Sequence, residues 1–357
     1  MASQVVSAPL LAGRIGTFVA DLRLTSVPED VLEVARCALA HNLSVAAAGH
    51  AVVAVGEDWA RSRTGSLEPA ISTGSAGGAR ALLSGIELSP SDAAFINGCL
   101  IHARAQDDTY FPGLTHVGAT TTPAVLALAE SRSATLGDVL LAIVAGYESA
   151  GAVGSAAAPV STARGFRASG IYGPVGAAAA ASSILGLDET AAANAVAIAT
   201  SFSAGTNQTW VSGSSEWQLQ LGNAARSGLE AALLASFGAT GSRDAFEGAD
   251  GFFAAFVGDA AAARGVGHDL GSVWRTRDVT FKAHPVCAIL QSPVDAALEL
   301  RAEAEAHAAR NRVGTPAVEL SSATLRLSPA EAAYPGTDGV PPFADPGAAL
   351  MSASYCL

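Results

Sequence analysis

Lysine is almost missing from this chain. Of 20 basic residues in 357, nineteen are arginine and one, Lys282, is lysine; against 32 acidic residues they leave a formal net charge of −12. No Lys/Arg run of the kind that tracks phosphates is present, which excludes nucleic acid as a partner. Any anionic ligand must therefore be met by a few basic groups placed locally against the overall field. Cysteine is also scarce. The four residues at 37, 99, 287 and 356 are far apart and show no C-x-x-C spacing, so no zinc site or other metal centre and no disulfide framework is indicated, and a reducing cytoplasm fits best. The start, MASQVVSAPLLAGRIGTF, has no basic segment leading into a long apolar block and does not read as a signal peptide. Uncharged spans at 168–187 and 190–215 are broken up by Gly, Ser, Asn, Thr and Pro. They read as buried helices and loops, and no membrane partner is expected.

Half of the residues are hydrophobic, ample for a large core in one or two domains. Up to about residue 260 the chain is a series of Ala/Leu/Val segments of helical length. Ser26-Val-Pro-Glu29 predicts a capping box opening a helix through about Ala48, and Ser89-Pro-Ser-Asp92 opens another that ends near Ala103. Further helices are expected at 123–132, 136–156, 174–186, 189–203 and 217–236, packed closely through their many small residues. After about residue 268 the texture changes. VWRTRDVTFKAHP is strand-like, SPVDAALELRAEAEAHAARN is an amphipathic helix, and SATLRLSP alternates apolar and polar residues, a β-α-β signature. The expected fold is mainly α: a helical domain over 1–265, a smaller α+β lid over 266–345, and at 346–357 the start of a helix whose apolar end, without a cap, suggests that more chain follows.

Polarity concentrates in AQDDTYFPGLTHVGA, residues 105–119. Asp107 and Asp108 follow a helix C-terminus, where negative charge opposes the dipole. They read either as a solvated turn before Pro112 or as part of a site. His116 stands just before a helix expected to start near Thr122, and histidine is the natural proton-transfer group near neutral pH. Lys282 lies in FKAHPVC, which also holds His284. An ammonium differs from a guanidinium in being compact and tunable, so the single lysine is either a chance survivor on a strand or a required cation.

These segments together resemble the MmgE/PrpD family of 2-methylcitrate dehydratases and cis-aconitate decarboxylases. DDTYFPGLTHVGA is similar to its Asp-Asp-Thr stretch with a following histidine and glycine, GFRASGIYGPVGAAAAASSILGL to its Gly-Phe-His helix start, and FEGADGFFAAF to its glycine-rich segment. FKAHPVC resembles its Lys-Pro-Tyr-Pro-x-Cys element and MSASYCL its late Ser-x-x-Tyr segment. The resemblance implies a helical domain with an α+β lid, a homodimer, and cofactor-independent chemistry on small carboxylates by proton removal next to a carboxylate or carbonyl. It places Asp108, Thr109, His116, Lys282 and Tyr355 on the family's site positions. Expected catalytic residues are His116, Asp108, Lys282 and Tyr355; expected substrate contacts are Asp107, Thr109, Arg167, Tyr172, Gln218 and His284.

The chain also departs from that pattern. Ala105 stands where the family commonly has another aspartate, Arg167 replaces the histidine of Gly-Phe-His, Gln218 replaces a lysine and Gln291 a histidine. The chain stops where the family normally continues. Arginine cannot serve as a base but grips a carboxylate bidentately, so the expectation is a lyase of dehydratase or decarboxylase type on a non-standard substrate such as a secondary metabolite. An isomerase or epimerase using the same proton abstraction and a non-catalytic relative are the alternatives. Trp210, Trp217, Tyr110, Tyr172 and Phe111 are either core aromatics or the lining of a roomier pocket.

Overall fold

The computed structural model describes residues 10–64, 78–310 and 322–357. The fold is mainly α, and its body is a bundle in which α7 (Ala168–Leu185) is central, flanked by α5 (Val117–Arg132), α6 (Leu136–Ala163), α8 (Glu189–Ser201) and α10 (Glu216–Ser236). Around these lie α1 (Leu11–Asp21) against α8, and α2 (Glu29–Gly49) and α4 (Pro90–His102) against α5 and each other. The spacing of these helices is set by small residues. A Cβ on Gly98 of α4 would lie 2.8 Å from Gly222 Cα of α10, and one on Gly146 of α6 would lie 2.8 Å from Gly176 O of α7. Both crossings need glycine because the backbones touch. By length and composition α2 and α6 could each cross a membrane, but 83% of the apolar window of α6 is buried within the fold, as befits a core helix.

Helix ends follow the sequence signals unevenly. Ser89 caps α4 as expected, its side chain accepting from Asp92 N at 3.1 Å. The capping box expected at Ser26 does not form. Ser26 closes its own 3₁₀ turn, Leu24–Ser26, by hydrogen bonds with Arg23, and α2 starts at Glu29 without a side-chain cap. Helices α5 and α7 begin at Val117 and Ala168, a turn or more before Pro123 and Pro174. A proline inside a helix frees the carbonyl four residues earlier. For Pro174 that carbonyl is Gly170 O, which accepts from Ala204 N at 3.2 Å, so α7 continues through the proline.

The expected β-α-β unit is not observed among the described residues. The helix is there, α12 (Gln291–Arg310), but 322–328 forms no strand, lies largely exposed and pairs with no strand among the described residues. Instead, the strand-like segment before α12 contributes β4 (Val279–Thr280), which pairs antiparallel with β3 (Thr109–Tyr110) of the helical body, Thr109 opposite Thr280. Alternation specifies a strand only where a partner edge is within reach. This short ladder matters for the site, because it carries the chain toward Lys282 alongside the Asp107–Asp108 turn.

Candidate active site

The site begins at the C-terminal turn of α4. The chain leaves that helix through Ala103–Gln106, with Ala105 in the left-handed region (φ +51°), and re-enters order at β3; Leu114 (φ +48°) is the second left-handed residue before α5. Two non-glycine residues held in this region cost about 1–2 kcal/mol each. They wrap the loop so that its polar groups point inward.

Asp107 is fully buried at the centre. Its Oδ1 lies 2.7 Å from His102 Nδ1, and its Oδ2 lies 3.0 Å from His116 Nδ1, close enough for an ion pair but not aligned for a hydrogen bond. Lys282, delivered by β4, puts Nζ 2.5 Å from Ala105 O and 3.4 Å from His116 Nδ1. Gln106 ties down the same segment by donating to Ala283 O at 2.9 Å. Burial pushes the Asp107 carboxyl up, but the His102 and His116 rings beside it and the Lys282 ammonium outweigh it and hold Asp107 well below the usual carboxylate range. Burial, reinforced by Lys282 and opposed by Asp107, drives His116 well below the ordinary imidazole value. The result is a neutral histidine beside an ionised carboxylate. The His116 side chain keeps 17% of its surface exposed. Its ring meets Asp107 and Lys282 through Nδ1 alone, which leaves Nε2 without a hydrogen bond among the described residues.

Arg167, the residue before α7, forms one wall. Its Nη2 is 3.0 Å from His102 Nε2, and its Cζ sits 4.3 Å from the Trp210 ring centroid. Its Nη1 and the indole Nε1 of Trp210 are both buried donors with no acceptor among the described residues. Trp217 packs edge-on against His102, ring centroids 5.0 Å apart, and its own N–H is taken by Asp345 at 2.9 Å. Cys287 and Tyr334 pack against the same Trp210–Trp217 cluster. Burial raises the Cys287 thiol, while the nearby Lys282 and Arg167 charges draw it down.

His102, Asp107 and His116 offer ligand atoms within 4.8 Å of one another, a spacing a metal ion could use. The set does not fit a cation. Both Nδ1 atoms already face one carboxylate, and Lys282 and Arg167 flank the two rings, so a divalent ion would be placed between two positive groups.

The other expected site residues are placed elsewhere. Asp108 is turned away from the cluster into the helical body. Its Oδ2 accepts from Tyr147 Oη at 2.5 Å and Asn42 Nδ2 at 3.0 Å, its Oδ1 from Gly118 N at 2.8 Å. Burial lifts its carboxyl to about 6 despite the Tyr147 hydrogen bond. Thr109 is buried in β3 with its hydroxyl unpaired. Tyr172 hydrogen-bonds to Ser161 and packs on Phe252. Gln218 is committed to backbone groups: its Oε1 accepts from Ala54 N at 2.5 Å, and its Nε2 donates to Val52 O at 3.1 Å and Ala103 O at 3.2 Å. His284 is engaged with Asp295 at 2.7 Å, and Gln291 stitches the turn before it through His284 O and Val286 O. Tyr355 is 60% exposed and stacks edge-on against Phe343; the tyrosine packed against the cluster is Tyr334. For Tyr172, Gln218, His284 and Tyr355 the expected contact with the site therefore does not form, because each side chain's polar end is bound to, or exposed, elsewhere. Tyr110 and Phe111 do not line the cluster either: the Tyr110 hydroxyl pairs with Ser155 at 2.9 Å, and Phe111 is 41% exposed.

Two residues of the cluster escape a reading of the sequence. His102 looks like an isolated histidine at the end of an apolar helix, and Tyr334 carries no spacing signal; Cys287 closes the FKAHPVC segment but carries no signal of a role. Separately, a cleft of about 380 Å³ lies between α1 and the 267–274 turn. It shares no residue with the cluster, and its arginine, Arg14, is occupied by Val266 O at 2.8 Å.

Known proteins share this arrangement of sequence. The chain is 34% identical over 221 residues to the cis-aconitate decarboxylase of Homo sapiens, covering 60% of this chain and 45% of that protein. It is 29% identical over 294 residues to the cis-aconitate decarboxylase of Aspergillus terreus, covering 77% and 57%, and 32% identical over 209 residues to a cis-aconitate decarboxylase-like protein of Aspergillus oryzae, covering 55% and 43%. The chain thus spans about half the length of the curated relatives it matches. The MmgE/PrpD N-terminal domain matches residues 13–264, the stretch that holds the helical body and every cluster residue except Lys282, Cys287 and Tyr334. The chain belongs to the MmgE/PrpD family.

Proposed function

We propose that the protein is a cofactor-independent lyase of dehydratase or decarboxylase type, acting on a small carboxylic acid by proton transfer at the carbon next to a carboxylate or carbonyl. The observation that carries this reading is the pairing of a neutral, partly exposed His116 with the Lys282 ammonium and with a buried Arg167 Nη1 that has no acceptor among the described residues. His116, with its own proton on Nδ1 toward Asp107 Oδ2, takes the substrate's proton on Nε2, and Asp107 stabilises the imidazolium that results, while Lys282 Nζ donates to Ala105 O and not to the ring. The electron pair left on carbon moves into the neighbouring carboxyl, where Lys282 meets the developing charge. Collapse then expels hydroxide, which leaves as water with the proton His116 had taken. In the decarboxylase variant no proton is removed first: the carbon–carbon bond to a carboxylate breaks and releases carbon dioxide, its electron pair stays on the carbon next to the neighbouring carboxyl, and His116, protonated from solvent, gives its proton to that carbon. Lys282 and Arg167 supply the positive charge, so the scheme draws on no metal or organic cofactor.

Arg167 Nη1, unpaired and stacked over Trp210, is suited to grip a carboxylate of the substrate. Because Arg167 and Gln218 stand in place of a family histidine and lysine, the substrate is assigned to carboxylic acids other than the standard tricarboxylates. The same reading makes the protein a cytoplasmic homodimer, which light scattering at micromolar concentration tests.

The chemistry is tested by incubating the protein in deuterated water with a panel of acids that starts with cis-aconitate and 2-methylcitrate, followed by NMR. Deuterium uptake together with loss of water or carbon dioxide is expected from at least one acid. Exchange without net conversion would assign the protein to the isomerases, and no exchange with any acid would overturn an enzymatic role for the cluster.

A further inference from the structure

We propose that His102 is a positioning residue: Arg167 locks it in the Nδ1–H tautomer, and through that proton it holds Asp107 in the orientation that faces His116. The tautomer follows from donor chemistry alone. An arginine side chain only donates. With Arg167 Nη2 at 3.0 Å, His102 Nε2 must present its lone pair. The ring's one proton is then on Nδ1, 2.7 Å from Asp107 Oδ1, which accepts it. Oδ1 so anchored fixes the plane of the carboxylate and leaves Oδ2 turned toward His116 Nδ1 at 3.0 Å.

The surroundings leave His102 little alternative. It is fully buried, with Trp217 packed edge-on at 5.0 Å and the His116 ring at 4.5 Å. The charged groups that bear on it are Asp107 from its own loop, Arg167 from the start of α7 and Lys282 from the segment after β4. The two cations oppose a proton on Nε2, and Asp107 rewards one on Nδ1. Arg167 itself stands where the family's Gly-Phe-His start has a histidine, a group that can both donate and accept. In this chain the neighbour of His102 can only donate, which turns an ambiguous ring into one with a defined direction.

The positioning role rests on His116 as the proton-transfer group, but the tautomer does not, and the test separates them. Full-length protein labelled with ¹⁵N is examined by long-range ¹H–¹⁵N NMR, which distinguishes protonated from bare ring nitrogens, with His102 assigned from the spectrum of His102→Gln. The expected result is a protonated Nδ1 and a bare Nε2 in His102, unchanged between pH 5.5 and 8.5. In Arg167→Met the lock is gone, and His102 should begin to take up a second proton in that range. A wild-type His102 protonated on Nε2 or on both nitrogens, or an Arg167→Met spectrum identical to wild type, would overturn the proposal.

The second arm follows the His116 resonances. His102→Leu keeps the bulk but removes the donor to Asp107 and should displace the His116 titration. His102→Asn, whose amide nitrogen can take the place of Nδ1, should restore it. A residue that only fills space would give the opposite order, with leucine nearer to wild type. If leucine does not fold, the tautomer arm alone still decides. Absence of deuterium exchange with any acid would defeat the lyase reading and leave these spectra unaffected.

Discussion

Replacing Asp108 by asparagine isolates the cost of holding a charge inside the helical body. The carboxyl is fully buried and titrates at about 6, against 3.8 for an unperturbed aspartate. At about 1.4 kcal/mol per pH unit, that gap corresponds to about 3 kcal/mol between the two protonation states. The sign follows from linkage. Between the unfolded and folded values the native protein holds the proton that the unfolded chain releases, so wild-type stability falls as pH rises through this window. Asparagine does not titrate, and terms from the other buried groups largely cancel in the comparison. Its amide places an NH₂ against Tyr147 and Asn42, both of which donate to Oδ2 in the wild type, so the variant starts with a deficit of about 1–3 kcal/mol. Urea unfolding at pH 4 and pH 7.5 should show the variant's deficit shrinking by about 2 kcal/mol at the higher pH. Parallel stability curves over that range would refute the raised carboxyl and with it the reading of Asp108 as a buried anchor.

Three further perturbations test the site and its frame. Lys282→Met should lower turnover on the order of 10²-fold or more on whichever acid exchanges in deuterated water, with the circular dichroism spectrum retained, and arginine should not rescue it because its planar fork does not fit a site shaped for an ammonium. Arg167→Met should raise KM about tenfold or more, the worth of one charge-assisted hydrogen bond of about 1.5–3 kcal/mol; an unchanged KM would remove Arg167 from the substrate's carboxylate. Gln218→Leu removes the partner of Ala54 N, Val52 O and Ala103 O; Val52 and Ala54 are exposed and water can replace it there, so the buried Ala103 O sets a loss of about 1–3 kcal/mol in urea.

Periodicity and caps made most of the helical body legible in the sequence, since a long apolar helix needs only its own spacing to declare itself. The misread ends have local causes. Pro174 looks like a helix start because proline suits that position, whereas here a distant amide, Ala204 N, satisfies the carbonyl it frees. Residues 322–328 alternate like a strand and yet lie exposed and pair with no strand among the described residues. In the site, Asp107, His116 and Lys282 stood out because polarity is costly in so apolar a chain. His102 did not, since nothing within α4 distinguishes a histidine that meets an arginine from one that fills a core. Tyr334 and Tyr355 differ only in where the chain's last turns place them, which no local pattern encodes.

The adjacent carboxylates show how one step along an extended chain divides two tasks. Successive side chains entering β3 point to opposite sides. Asp107 therefore meets His102, His116 and Lys282, which hold it ionised, while Asp108 faces Asn42 of α2, Tyr147 of α6 and the amide of Gly118, where burial lifts it to about 6. Carboxyls pushed apart in this way normally mark an acid and a base of one reaction, but here every oxygen of Asp108 is already occupied by the scaffold. Its bond to Gly118 N sits in the first turn of α5, two residues after His116, which caps that helix. Asp108 thus fixes the backbone that carries His116 from behind, while Asp107 faces the imidazole ring from the front. A one-residue slip in this loop would put the wrong side chain in each place: in one direction Asp108 would stand among the cations and Thr109 in the scaffold, and in the other Gln106 would stand beside His116 Nδ1 in place of a carboxylate. The order Asp-Asp-Thr before the β3–β4 ladder is what prevents it, because the pairing of Thr109 with Thr280 fixes the register of both aspartates and of Lys282 at once.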